Sequence, residues 1–148
     1  MNAIQVSSYP SVGVKLLDRD HGHLEEILGE IQLKAAGGHF SRQIEVKLRK
    51  LAKRMQLHFA LEESMMSATY YPGINIHRLK HQWMMDQMAV LATQDGRYAL
   101  DRNVHLVNLL GVSHHRHLEE DDLDYALWLN ASCGNAVDAA ASVEPIEP

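Results

Sequence analysis

The sequence predicts an all-α chain, an up-down-up-down antiparallel four-helix bundle with an N-terminal extended arm and a poorly ordered C-terminal tail. Three observations carry this prediction. Four long stretches repeat apolar residues at helical spacing, and short breaks rich in Gly, Pro and Asp separate them. No stretch of useful length alternates apolar and polar residues as a half-buried strand does. Short connections between long helices make sequential neighbours antiparallel.

The elements follow in order. The first dozen residues read as an extended arm. The first helix runs from about Leu16 to Ala36 and stops at Gly37-Gly38. The second starts near Ser41, a favourable N-cap residue, and continues to about Thr69, where Tyr71-Pro72-Gly73 breaks it. The third spans about Ile76 to Thr93 and closes at Asp95-Gly96, and the fourth covers about Ala99 to Asn130. Beyond that point the composition turns to Ala, Ser, Gly, Pro and acid, so residues 131–148 are expected to form a disordered tail. Residues 1–130 are then one domain, with 1–15 as its arm.

Composition narrows the function. A chain of 148 residues that is 46% hydrophobic can bury a core as a single domain. Its net charge of −5 argues against nucleic acid or an anionic membrane as a partner, since both reward clustered Lys and Arg. No segment reaches the roughly 20 apolar residues that a membrane span needs. Met1 to Pro10 lacks a basic stretch followed by an apolar one, so no secretory signal is expected. The single Cys133 has no disulfide partner within the chain, which points to a reducing cytoplasm. Ten histidines is a high count for this length, and their spacing carries the rest.

Each helix has an inward stripe with steps of three and four residues. The first stripe is Leu17, His21, Leu24, Leu28, Ile31, and the second is Ile44, Leu48, Leu51, Met55, His58, Glu62, Met65. The third is Ile74, His77, His81, Met84, Met88, Leu91. The fourth includes Leu110, His114 and His117, with Asp121 or Asp122 a turn later. Histidines and carboxylates therefore occupy core-facing positions in all four helices. An unsatisfied buried polar group costs about 1–3 kcal/mol, so a fold does not repeat this without compensation. Taken singly, His21 also fits a hydrogen-bonded core histidine, and His58 with Glu62 fits a local hydrogen bond. His77 and His81, spaced i, i+4, form a chelating pair. His117 and Asp122 are five apart, which is poor geometry for one metal but lets the carboxylate reach a different atom. Together the residues converge on a metal site in the bundle core.

Five imidazoles and two carboxylates, with no thiolate, suit iron, manganese or zinc better than calcium or magnesium. They are too many for one tetrahedral zinc, whereas two bridging carboxylates between two metals account for the surplus. The Glu-x-x-His pairs of ferritin-like di-iron bundles do not occur in the chain.

Motifs in sequence order then resemble those of the hemerythrin family. Val12-Gly13-Val14 followed by Leu17-Asp18, His21 and Leu24 looks like its first-helix signature. His58-Phe59 with Glu62-Glu63 and Met66 is similar to the second, Tyr71-Pro72 with His77 and His81 to the third, and His117-Leu118 with Asp122 and Tyr125 to the fourth. The resemblance implies that His77, His81 and His117 hold one iron, and that His21 and His58 hold another with an open position. It further implies that Glu62, Asp122 and an oxo or hydroxo group bridge the two irons. The function implied is reversible binding of molecular oxygen, for storage, delivery or buffering, within a pocket that includes Leu24, Phe59 and Leu118. Plain core packing is an equally compatible role for those three.

Two departures from the family pattern bear on chemistry. Ser113 and His114 stand where Trp-Leu is usual, and Arg54 stands where an aromatic is common, one turn before His58. A hydroxyl and an imidazole in the pocket are expected to admit water or a proton and so to hasten autoxidation. This keeps open a di-iron redox enzyme, or an oxygen or redox sensor, as alternatives to a non-enzymatic oxygen binder. An electron donor or an oxygen-consuming protein is the expected partner, and the sequence does not fix an oligomeric state. Of the remaining residues, His23, His39 and His105 are expected to face solvent or loops, and His115 to point away from the seam. The run Glu119 to Asp122 is expected to be solvated except for Asp122. Trp83 and Trp128 are expected to serve packing, and Met65, Met84 and Met88 to fill the core.

Overall fold

The structure, a computed structural model, describes residues 12–37, 42–93 and 100–141. Among the described residues every regular element is helical: α1 (Lys15–Ala36), α2 (Arg42–Ala68), α3 (Ile74–Thr93), α4 (Leu100–His117), a π-helical turn (Leu118–Asp122) and α5 (Leu123–Ala141). The last three join without a break into one rod. Each of the four rods packs on the next in sequence, and the fourth closes against α1. The result is a four-helix bundle.

The stripes read from sequence are the faces that bury. Leu17, His21, Leu24, Leu28, Ile31 and Ala35 line the inner face of α1. Ile44, Leu48, Leu51, Met55, His58, Phe59, Glu62 and Met66 line that of α2. Toward the end of α2 the buried methionine is Met66, while the expected Met65 is half-buried. The stripe steps by four from Glu62, which keeps Met66 on the inner face. Trp83, expected to pack, is 41% exposed on the outside of α3.

The core divides along the bundle axis. One end is apolar, built from Leu28, Ile31, Ile44, Leu48, Leu51, Met88, Leu91, Val107 and Leu110. Beyond it lies a polar zone, closed at the far end by Tyr71, Tyr125 and Trp128. Tyr71 lies edge-on to both other rings, at centroid distances of 5.1 and 5.3 Å. Its hydroxyl donates to Asp124 Oδ2 at 2.6 Å, tying the α2–α3 turn to α5.

That turn is a Schellman cap: Tyr71 N–H reaches Met66 O at 2.9 Å and Tyr70 N–H reaches Ser67 O at 3.2 Å. Tyr70 takes the left-handed position, φ 58°, that glycine usually fills. At the other end of the polar zone's first helix, Val14 is extended, at φ −108° and ψ 104°, where the chain enters α1. Gly13 sits at φ 80°, and Val12 N–H donates to Asp18 Oδ1 at 2.7 Å.

Two sequence expectations change at the C-terminus. The fourth helix does not end near Asn130, because α5 runs to Ala141. The segment beyond Asn130 has little to bury, but it holds alanines at 131, 136, 139, 140 and 141, the residue of highest helix propensity. Loss of packing was read there as loss of structure. The rest of the expected tail, 142–148, lies outside the described residues, as do the arm residues 1–11, Ser41, His39 and the Asp95-Gly96 break.

Candidate metal centre

All seven predicted ligand residues meet in the polar zone, and all are buried: His21, His58, Glu62, His77, His81, His117 and Asp122. Their ligand atoms form two sets, each lying within 4.8 Å. One contains His77, His81, His117, Glu62 and Asp122, and the other contains His21, His58, Glu62 and Asp122. The carboxylates belong to both.

Each carboxylate points one oxygen at each set. Glu62 Oε1 lies 3.4 Å from His21 Nε2 and 3.3 Å from His58 Nε2, while Oε2 lies 3.4 Å from His77 Nε2 and 3.2 Å from His81 Nε2. Asp122 Oδ2 lies 3.2 Å from His21 Nε2, while Oδ1 lies 3.2 Å from His77 Nε2 and 3.0 Å from His117 Nε2. These are ion-pair distances without hydrogen-bond alignment at every atom. His21 Nδ1 and Nε2, Glu62 Oε1 and Asp122 Oδ1 are buried with no hydrogen-bond partner.

The π-helical turn places Asp122. A residue five positions after His117 would lie well around an α-helix from it, since successive residues rotate by about 100°. Widening the turn to i→i+5 brings position 122 back beneath position 117. The five-residue step from His117 to Asp122 is therefore the mark of this turn, which helical periodicity alone does not predict.

A second ring of carboxylates fixes the histidines. His81 Nδ1 donates to Glu63 Oε1 at 2.8 Å, and His117 Nδ1 donates to Asp121 Oδ2 at 2.9 Å. His58 Nδ1 lies 3.4 Å from Asp20 Oδ2. With the proton held at Nδ1, each Nε2 carries a lone pair toward the centre. His81 Nε2 and His117 Nε2 lie 3.0 Å apart. Two lone pairs at that distance repel unless a metal ion or a shared proton lies near both. The orphaned atoms, the facing lone pairs and the donor types all fit a pair of transition-metal ions.

Asp121 thus faces inward, against the expectation that only Asp122 of the acidic run does. It accepts from His117 and also pairs with Lys80 of α3. Glu63 and Asp20 were missed as well. The available signal was position: Glu63 adjoins a ligand, and Asp121 stands i+4 from one.

Protonation follows the same geometry. Burial alone would push the His21 and His117 imidazoles down, but the facing carboxylates outweigh it and raise both to about 9. Burial opposes ionisation of Glu62 and Asp122, yet the surrounding imidazoles hold both well below the ordinary carboxylate range.

The match to known proteins agrees with this arrangement. The family model of the hemerythrin HHE cation-binding domain matches residues 12–129. The chain belongs to the hemerythrin family. The hemerythrin match runs from the arm through all four rods and includes every residue of both ligand sets. With the buried cluster, it supports a metal-binding site. No curated protein and no solved structure matches the chain.

The pocket residues separate. Leu24 and Leu118 are buried beside the centre, and Leu24 and His58 also line a cleft of about 470 Å³ between α1 and α2, whose rim carries Lys50, Lys53 and Arg54. Phe59 stacks flat on His81 at a centroid distance of 3.8 Å, on the three-histidine side. Ser113 and His114 do not share a pocket, because adjacent helix residues face about 100° apart. Ser113 lies half-buried in the wall of a second cleft with Trp83, Lys80 and Arg116, which His117 and Asp121 also line. His114 is buried and donates from Nδ1 to Glu25 Oε1 at 2.5 Å. Its imidazole is not wetted as expected but sealed in by its partner. His105 is exposed, as read from sequence.

Proposed function

We propose that this protein binds molecular oxygen reversibly at a non-haem di-iron centre. The observation that carries the reading is the division of one buried cluster into a three-imidazole set and a two-imidazole set sharing Glu62 and Asp122. In this reading His77, His81 and His117 would hold one iron and His21 and His58 the other, with Glu62 and Asp122 available to both. Such a pair, when bound, supplies two electrons to oxygen and takes them back on release. The two-imidazole set provides fewer protein donors, which leaves room for a small ligand on that side.

The chain's own residues do the rest. Leu24 and Leu118 keep the space dry, so a charged product gains little from leaving. Glu63, Asp121 and Asp20 hold the imidazoles with Nε2 turned inward. The bundle is taken as up-down-up-down and antiparallel; contacts of Lys34 with Gln43, Lys47 with Glu30 and His58 with Asp20, running in opposite order along α1 and α2, support this. A cytoplasmic location and a partner that donates electrons or consumes oxygen complete the proposal. A non-enzymatic role is the primary form of it.

The test is an optical spectrum of the iron-loaded protein, reduced without oxygen, exposed to air and degassed. Charge-transfer bands that rise in air and vanish on degassing are expected. Bands that appear only as a permanent oxidised form would replace oxygen binding with redox catalysis or sensing. Absence of any iron-dependent band would overturn the ligand assignment, and manganese loading would then be compared.

A further inference from the structure

Five of the six buried histidines among the described residues belong to the ligand cluster, and His114 is the exception. It stands on the inward stripe of α4 with Val107, Leu110 and His117, at a position where an aliphatic residue would bury without a polar penalty. The chain instead spends two polar groups there. His114 is 1% exposed and Glu25, on the facing helix α1, is 14% exposed, so the pair leads from solvent into the sealed zone. Their 2.5 Å contact is short enough to pass a proton. Because Glu25 occupies Nδ1, Nε2 is the nitrogen left to serve the interior. The charged or titratable groups facing the ring are Glu25 and His21 from α1 and His117 from its own rod.

We propose that Glu25 and His114 form a proton-delivery pair through which oxygen reduced at this centre leaves as hydrogen peroxide. The inference rests on the di-iron reading above. In the step, the two electrons come from two ferrous ions, which become ferric. One dioxygen and two protons give one hydrogen peroxide: the iron–oxygen bond breaks, the O–O bond stays and two O–H bonds form. With a proton taken up from solvent through Glu25, the ring carries hydrogen on both nitrogens, Nδ1–H held by the Glu25 carboxylate. Nε2 gives its proton to the departing oxygen and the ring returns to the neutral Nδ1–H form, and a second uptake supplies the second proton. Burial holds the imidazole's affinity for a proton below the ordinary histidine range, against the pull of Glu25. A ring so placed releases a proton readily once it carries one. Glu25 acts through His114 and is a positioning residue.

The experiment follows decay of the oxygenated form and counts peroxide in wild type, His114→Leu and Glu25→Gln, in water and in heavy water. His114→Leu should slow decay about 100-fold, the scale set by a positioned proton donor, and Glu25→Gln about 10-fold. The solvent isotope effect should disappear in His114→Leu, and Glu25→Asp should restore part of the rate. An independent readout is imidazole nitrogen NMR of the zinc-loaded protein, where His114 should carry its proton on Nδ1 and shift in Glu25→Gln. Equal decay in all variants, or a His114 proton fixed on Nε2, would overturn the pair. Because Glu25 reaches the surface, Glu25→Gln keeps the test decisive if His114→Leu does not fold. Loss of every oxygen-dependent band in wild type would instead sink the di-iron reading, and this inference with it.

Discussion

The two halves of the polar core are built differently although they share two carboxylates. In the three-imidazole half, His81 and His117 are anchored at Nδ1 by Glu63 and Asp121 at 2.8 and 2.9 Å. Those carboxylates are held in turn, Glu63 by Arg78 at 3.2 Å and Asp121 by Lys80. Phe59 lies flat on His81. In the two-imidazole half, His58 has a looser contact at 3.4 Å to Asp20, and His21 Nδ1 has no hydrogen-bond partner. The first half is over-determined and suits holding an ion still. The second has fewer donors and weaker anchors, which suits a position where ligands exchange; clefts adjoin both halves, at His58 and at His117. Chemistry is assigned to the looser side because a saturated, rigid ion has nowhere to accept a ligand.

The largest effect is expected where the halves are joined. Asp122→Asn removes the carboxylate that reaches both sets from the π-helical turn. Both halves then lose a shared ligand, and metal content should fall from two ions per chain to none. The variant should retain helicity by circular dichroism and still lose metal. An Asp122→Asn variant that still binds two ions would show that this carboxylate is not a shared ligand.

A smaller effect separates the halves. Replacing an anchoring carboxylate costs about 10- to 100-fold in metal affinity at sites of this kind. Asp121→Asn and Glu63→Gln should fall in that range in a chelator competition. Asp20→Asn should cost less, since its contact with His58 is longer. Equal losses from Asp20 and Asp121 would erase the proposed difference between a holding half and an exchanging half.

The fold and the inner ring were legible in the sequence because a bundle core repeats with helical period. Any polar residue on the stripe Ile44, Leu48, Leu51, Met55, His58, Glu62 therefore announces itself. What lay off the stripe was not legible. Asp121 and Glu63 sit beside inward residues, in acidic runs that look solvated, and only the packing of α3 against α4 and of α2 against α3 makes them partners. The π-helical turn left a trace in the five-residue step from His117 to Asp122, but periodicity assumes an unbroken α-helix and cannot convert that step into geometry. Reading Ser113 and His114 as one polar patch failed for the converse reason: a family pattern names positions, while helix rotation decides which of two neighbours faces inward. The continuation of α5 to Ala141 needed propensity alone and no packing, a weaker signal than the loss of apolar residues that obscured it.

In one respect the halves are alike, and the smallest effect tests it. His21 in one half and His117 in the other are both raised from 6.5 to about 9 by facing carboxylates that outweigh burial. A base held protonated by the fold stabilises it fully below its unfolded value of about 6.5, and that stabilisation is lost as pH rises through about 9. Glu62 and Asp122 have the opposite sign: their depressed values stabilise the fold above about 4, so they contribute nothing to the change in the alkaline window. Metal-free protein should therefore lose stability between pH 6.5 and 9.5, on the order of 3 kcal/mol for each histidine. Replacing either one with glutamine should remove its share of the slope, the rest being carried by the other and by His77, which the same carboxylates also raise against burial. Metal-loaded protein should lack that slope, because a liganded imidazole nitrogen carries no proton to lose. Urea denaturation at pH 6.5, 8 and 9.5, with and without metal, reads both. A slope carried by His117 alone would mean that the two halves differ in proton affinity as well as in anchoring, and a slope that persists with metal bound would place these imidazoles outside the coordination shell.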